Sequence, residues 1–243
     1  MLRAGGDQVD AGGLDGAVAQ HVGQLRHVPA HLIEGPGEQV PEIMGKDLYN
    51  ERNSNYCYPN SNILINKLDI HDKQVLQKYE AKITAAKLLA LRYKGIIGNF
   101  DAEHLNKIHT YLFEDIYPFA GKYRNENIAK GVFRFAEYEY IESELKKLLD
   151  KLKEEKFLNG LSKEKLAERL AYYLSELNVL HPYREGNGRT IREFIRELAL
   201  KNGYVLNLSK VSPKDFLNAS IKSIVDISDL TNLILICLEE NKP

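Results

Sequence analysis

The chain contains no tryptophan, only two methionines and two cysteines, and no apolar run long enough to cross a bilayer. Each scarcity excludes something. Cys57 and Cys237 are isolated from one another, so free thiols in a reducing cytoplasm are expected rather than a disulfide framework. A membrane span needs about 20 consecutive apolar residues, and none is present. The N-terminus also lacks a secretory apolar core, so the expected location is cytoplasmic, with delivery into a host or neighbouring cell left open. An excess of either charge is missing too. There are 33 Lys and Arg against 34 Asp and Glu, a net charge of −1. That balance supplies no basic field of the kind that dominates nucleic-acid binding, so neither direct nucleic-acid contact nor a membrane is expected as a partner. Zinc-ligand spacing, a Walker loop and internal repeats are absent as well. The seven histidines include His21, His27 and His31, too widely spaced for a metal site. His71, His104 and His109 are read as surface or helix-packing residues.

Lysine is absent from residues 1–43, which hold eight of the seventeen glycines. From Gly45 onward the chain turns rich in Lys, Asn, Ile and Leu. The first 43 residues show no helical pattern and are expected to be a disordered arm, a fusion remnant or a mis-assigned start, with Met44 the preferred initiator. The remainder, residues 44–243, is long enough for one substantial domain. Helical periodicity and end signals predict seven helices, over 72–95, 101–117, 140–157, 162–180, 189–202, 213–223 and 229–240. Val75, Tyr79, Ile83, Ala86 and Ala90 form the apolar stripe of the first. Ser212-Pro213 is a cap followed by a first-turn proline.

One segment concentrates chemistry: His181-Pro182-Tyr183-Arg184-Glu185-Gly186-Asn187-Gly188-Arg189-Thr190-Ile191-Arg192. Before it, Leu166, Leu170, Tyr173, Leu174 and Leu177 recur at helical spacing behind Ser162 as N-cap. Pro182 stops that helix and biases His181 away from the helical region. After it, Ile191, Phe194, Ile195 and Leu198 form a second stripe that ends before Gly203. The order is helix, glycine turn, helix. A helix start presents unpaired N–H groups and the positive end of a dipole, and glycines let the backbone approach an anion. Arg189 and Arg192, three residues apart, share a face. Together with Asn187 they make a polyphosphate the natural guest. Glu185 in a phosphate site implies a bridging cation, and Mg²⁺ takes such a mixed set of one carboxylate, phosphate oxygens and water. His181, with an ordinary imidazole pKa of about 6.5, suits a general base. Singly, each piece has an ordinary structural explanation: a helix-end histidine, a tight turn, a solvated ion pair. Their fixed spacing between two helices is what argues for a site.

The segment resembles the signature of Fic-domain proteins (Fic/DOC family), His-x-Phe-x-(Asp/Glu)-Gly-Asn-Gly-Arg-x-x-Arg, complete except that Tyr183 stands where Phe is usual. Tyr keeps the ring of that apolar anchor, and little disturbance is expected from the change. The resemblance extends over about residues 56–238. Tyr56-Cys57-Tyr58-Pro59 with Asn66-Lys67-Leu68, the stretch from Ile108-His109 to Gly121, and Asn178-Val179-Leu180 are similar to compact bacterial Fic toxins. It implies an all-α fold, a Fic-type helical bundle with a small β-hairpin flap near the active site. It also implies a protein adenylyltransferase that moves AMP from ATP to a Tyr, Ser or Thr hydroxyl of a target protein. By the same resemblance His181 would deprotonate the target and Glu185 would hold Mg²⁺. Gly186, Asn187 and Gly188 would form the anion nest, and Arg189 and Arg192 would clamp the outer phosphates. A kinase-like branch carries Lys at the second glycine, where this chain has Gly188. Phosphocholine transfer from CDP-choline uses a nearly identical motif, and a non-catalytic nucleotide- or antitoxin-binding module is the reading from a different class.

Ahead of that segment, Tyr123 to Ile128 and Val132 to Phe135 are expected to be short and extended, with Gly131 near the turn. An exposed hairpin edge can pair with an extended peptide. In the family this flap docks the target, which makes Lys130, Gly131 and Phe133 candidate contacts. Phe135 is assigned to the core. Many relatives carry an inhibitory helix with Ser/Thr-x-x-x-Glu-Gly/Asn, whose Glu pairs with the second motif arginine. No such motif occurs here: Thr110 to Glu114 has the first spacing, but Asp115 follows. This resembles the subgroup held silent by a separate small antitoxin protein, whose Glu would seek Arg192.

Overall fold

The computed structural model describes residues 54–130 and 133–241. The expectation for residues 1–43 lies outside the described residues. Among the described residues seven α-helices dominate: α1 (Lys73–Lys94), α2 (Ala102–Phe113), α3 (Ile141–Glu154), α4 (Lys163–Leu180), α5 (Asn187–Lys201), α6 (Pro213–Lys222) and α7 (Ser228–Cys237). Two small antiparallel pairs complete the fold. Strand β1 (Ala129–Lys130) pairs with β2 (Phe133–Arg134), and β3 (Tyr204–Leu206) pairs with β4 (Leu238–Glu240). Among the described residues no helix is long and apolar enough to cross a membrane.

Polar side chains cap four of these helix starts. Asp72 accepts from the N–H groups of Gln74 and Val75, Asp101 from His104, Ser162 from Lys165 and Ser212 from Asp215. Each such cap stabilises its helix by about 1 kcal/mol. Helix α4 is buried on nearly every side: Leu166, Ala167, Leu170, Ala171, Tyr173, Leu174 and Leu177 are all solvent-free. It is therefore the central helix, packed against α3, α5 and α7. Helix α5 buries Ile191, Phe194, Ile195 and Leu198, the stripe expected from sequence, against α4 and α2.

Three expectations need correction. Of the stripe Val75, Tyr79, Ile83, Ala86, Ala90, only Ile83 packs against the core. Val75 and Tyr79 are exposed, and the buried positions of α1 are Leu76, Thr84 and Leu91, one residue step round the helix. The last helix ends at Cys237, and Leu238–Glu240 leaves it as a strand. Gly203, at φ 84°, turns the chain out of α5 so that β3 lies where β4 can pair with it. The flap strands occupy 129–130 and 133–134 rather than 123–128, because Arg124 is drawn into the interior.

Candidate active site

The loop joining α4 to α5 carries His181 to Gly186. His181 caps α4 in the left-handed region (φ 46°, ψ 61°), and its N–H still reaches the Leu177 carbonyl at 3.0 Å. A residue without glycine's freedom holds that conformation only when its surroundings enforce it. The enforcement comes from Arg124. This buried guanidinium donates from Nε to the His181 carbonyl (2.9 Å) and from Nη1 to the Glu126 carbonyl (2.8 Å). Its Nη2 donates to the carbonyls of Leu180 (3.2 Å) and Ala136. The Arg124 N–H also donates to the Pro182 carbonyl at 2.9 Å. Burial pulls its pKa down to about 10, so it remains a cation at neutral pH.

The His181 ring is fixed in turn. Nδ1 lies 3.2 Å from the Asn178 carbonyl, which can only accept, so Nδ1 carries the proton and Nε2 presents a bare lone pair. Phe135 stacks on the imidazole at 3.8 Å between ring centroids. Burial pushes the pKa down to about 3. The charges of Arg124 and Lys130 act in the same direction, against the Asn178 hydrogen bond. The ring is thus neutral at physiological pH with Nε2 as its open acceptor, and the same burial makes it a weaker base than a free imidazole.

Tyr183 is solvent-free and stacks on His109 at 3.8 Å. Its hydroxyl, the one atom absent from the usual Phe, donates to Asn106 Oδ1 at 2.6 Å, which explains why the substitution fits. The side chain of Asn187 is engaged within the loop. Its Oδ1 accepts the Tyr183 N–H (2.9 Å) and its Nδ2 donates to the Tyr183 carbonyl (2.7 Å). The amide staples the loop to the first turn of α5. Gly186 stands at the N-cap with φ 82°, and a Cβ there would sit 2.2 Å from the Phe113 ring. Both the conformation and the contact require glycine.

His109, assigned from sequence to packing or surface, is buried beneath this loop. Its Nδ1 accepts the Gly121 N–H at 2.8 Å, so Nε2 bears the proton and donates to the Glu185 carbonyl at 2.9 Å. Burial lowers its pKa to about 4, and the Arg189 charge adds to the shift against the Glu185 hydrogen bond. The unfolded chain takes up a proton near pH 6.5, whereas the folded chain refuses it until about pH 4. Stability conferred by the neutral ring is therefore complete above about 6.5 and is lost as pH falls through that window. The loss from His109 alone is on the order of 3 kcal/mol. Urea unfolding at pH 7 and pH 4.5 should show this loss, smaller in a His109→Gln protein. Identical pH dependence in both proteins would count against it.

Glu185 accepts the Gly186 N–H (2.8 Å), and its side chain is 42% exposed, open to the solvent side of the loop. Arg189 contacts Glu185 at 3.4 Å and Glu80 of α1 at 2.5 Å. Arg192 lies against Gly188, and its pKa is lowered by burial and then by the charge of Arg189. Among the described residues no carboxylate pairs with Arg192, and no cluster of three or more His, Cys, Asp or Glu could hold a metal unaided. The flap residue Lys130 is exposed and Phe133 half-buried, while Gly131 lies outside the described residues. Arg124, His109, Phe135 and Glu80 are the site residues that sequence reading missed.

A neutral histidine and an accessible carboxylate flank a two-arginine helix N-terminus, the arrangement of a nucleotide-handling transferase. The chain belongs to the Fic/DOC family, whose profile matches residues 99–199. It is 38% identical over 187 residues to protein adenylyltransferase VbhT of Bartonella schoenbuchensis, covering 77% of this chain but only 39% of VbhT. It is 35% identical over 190 residues to the Escherichia coli K12 protein named "Probable protein adenylyltransferase Fic", covering 78% of this chain and 93% of that one. Among solved structures it resembles BepC of Bartonella tribocorum with bound AMPPNP: TM-score 0.73, 26% identity, covering 77% of this chain and 98% of that one. The N-terminal Fic domain of a Bep effector from Bartonella quintana, with bound ADP, superposes with TM-score 0.71 at 30% identity, covering 77% and 96%.

Proposed function

We propose that this chain transfers AMP from ATP to a hydroxyl side chain of a target protein. The observation that carries the reading is the bare Nε2 of a neutral His181, set at the loop that leads into the α5 N-terminus with its two arginines. The target oxygen attacks the α-phosphorus and its proton passes to His181 Nε2. The new oxygen–phosphorus bond forms as the bond to the β-phosphate breaks, and pyrophosphate leaves. Backbone N–H groups of the first turn of α5 offer donors to the phosphates, with Arg189 and Arg192 gripping the outer two. Glu185, half-exposed, with Oε1 taking the Gly186 N–H and the longer Arg189 contact, fits a Mg²⁺ that arrives with the nucleotide. When bound, that ion would neutralise charge on the phosphates. The exposed Lys130 and half-buried Phe133 of the flap offer an edge to the target segment.

The donor is decided by label position. With α-labelled ATP and Mg²⁺ in a bacterial lysate, a target protein should become labelled. γ-Labelled ATP should leave it unlabelled, because the outer phosphates depart. Label from γ-ATP would indicate phosphorylation, and label from choline-tagged CDP-choline alone would indicate phosphocholine transfer.

The toxin reading, with a separate antitoxin protein as partner, is supported by the missing inhibitory motif and by Arg192, which has no carboxylate partner among the described residues. A glutamate brought by such a protein would meet Arg192 and compete with phosphate. On this reading the isolated chain is active and falls silent when a candidate antitoxin is added.

A further inference from the structure

Glu80 lies on α1, outside the motif, yet it makes the closest ionic contact in the site. Its Oε1 is 2.5 Å from Arg189 Nη2, and its Oε2 accepts from the Tyr117 hydroxyl. One turn further along α1, Thr84 accepts from Arg189 Nη1 at 3.2 Å and donates to the Glu80 carbonyl at 2.8 Å. The guanidinium also rests over the Phe113 ring, 4.8 Å from its centroid. Glu80 and Arg189 are largely shielded, with 12% and 22% of their side chains exposed. Arg189 is thus held at two edges and one face by residues of α1 and α2.

A second carboxylate competes for the same nitrogen. Glu185, in the loop four residues before Arg189, stands 3.4 Å from Nη2. Were Glu80 removed, the nearest anion left to Arg189 would be Glu185, which the loop before α5 already holds within ion-pair distance. Arg189 would then leave its place on the phosphate side and cover the carboxylate that the site keeps exposed. The inward face of α1 carries Glu80 and Thr84 where core packing alone would favour apolar residues. Retaining a shielded charge there is costly unless it is paired, and its pair is Arg189.

We propose that Glu80 is a positioning residue that holds Arg189 in register for the outer phosphates of the nucleotide and limits its pairing with Glu185 to the longer 3.4 Å contact. The proposal rests on the nucleotide reading above and makes a prediction of definite sign. By charge alone, Glu80→Gln removes a negative group from beside a triphosphate and should tighten binding. By position, it should weaken binding of a triphosphate and leave AMP, which has no outer phosphates, unaffected.

The test is calorimetric titration of a non-hydrolysable ATP analogue and of AMP, each with Mg²⁺, into the wild-type chain and into Glu80→Gln, with a melting temperature for each protein. The expected result is a loss of roughly tenfold in analogue affinity with AMP affinity unchanged. Glu80→Asp retains the charge but not the reach and should show a similar loss. Tyr117→Phe, which keeps the ion pair but frees the carboxylate, should show a smaller one and covers the case in which Glu80→Gln fails to fold. Unchanged or tighter analogue binding in Glu80→Gln, or a loss shared equally with AMP, overturns the proposal. A wild-type chain that binds the analogue no better than AMP overturns the nucleotide reading itself, and this proposal with it.

Discussion

Arg124→Met is expected to lose about 3–5 kcal/mol of folding stability, a large share of what a domain of this size possesses. Arg124 is 2% exposed, and its four side-chain hydrogen bonds all end on backbone carbonyls, those of His181, Glu126, Ala136 and Leu180. Two of these lie at the C-terminal end of α4, where the helix dipole is negative and a cation is favoured. Methionine fills the volume but donates nothing, so several buried carbonyls lose their partner at about 1–3 kcal/mol each, less whatever relaxation recovers. Lysine keeps the charge but cannot span four acceptors with one ammonium, so Arg124→Lys should recover only part of the loss. Urea denaturation decides the point. A midpoint within error of the wild type would show that the four carbonyls find other partners. Any Arg124→Met protein that does fold should also be slow, because the left-handed turn presenting His181 has lost its clamp.

His181→Ala is expected to lower AMP transfer by about 10²–10⁴-fold. The ring's work is specific: Nδ1–H is committed to Asn178, and the stacked Phe135 leaves the Nε2 lone pair as the remaining polar atom of the imidazole. Alanine removes the acceptor without touching the α5 N-terminus, so nucleotide binding should persist. The Arg124 bond to residue 181 is made through the backbone carbonyl and also survives the change. The two substitutions therefore separate cleanly. One abolishes chemistry in a folded protein, and the other removes the fold that orients the chemistry.

Local pattern made the helices and the central motif legible. Caps such as Ser162 and Ser212 and the stripes of α4 and α5 are properties of neighbouring residues, and the structure places them where the spacing requires. The register of α1 was misread because two of its inward positions, Glu80 and Thr84, are polar in service of Arg189. Counting apolar residues alone selects the outward Val75 and Tyr79 instead. Arg124 and Glu80 act on partners 57 and 109 residues away in the chain, and no local periodicity reports such contacts. The strand at Leu238–Glu240 has the same cause, since it exists only because Tyr204–Leu206 is brought beside it. The motif places Asn187 among the phosphate donors, and its neighbours in the chain do not reveal the further use of its side chain. Its short amide lies within reach of the Tyr183 backbone and is used there. The turn lettering thus gave the composition of the site, while the division of labour among its residues required the fold.

The most direct measurement is transfer of label from α-labelled ATP with Mg²⁺ into a bacterial lysate, run with wild type and His181→Ala side by side, with nucleotide binding measured on both. The account predicts a labelled protein in the wild-type lane that is lost in the mutant, at comparable nucleotide affinity. A band of equal intensity in both lanes, or none in either with nucleotide bound, would contradict the assignment of His181 as the base of an AMP-transfer reaction.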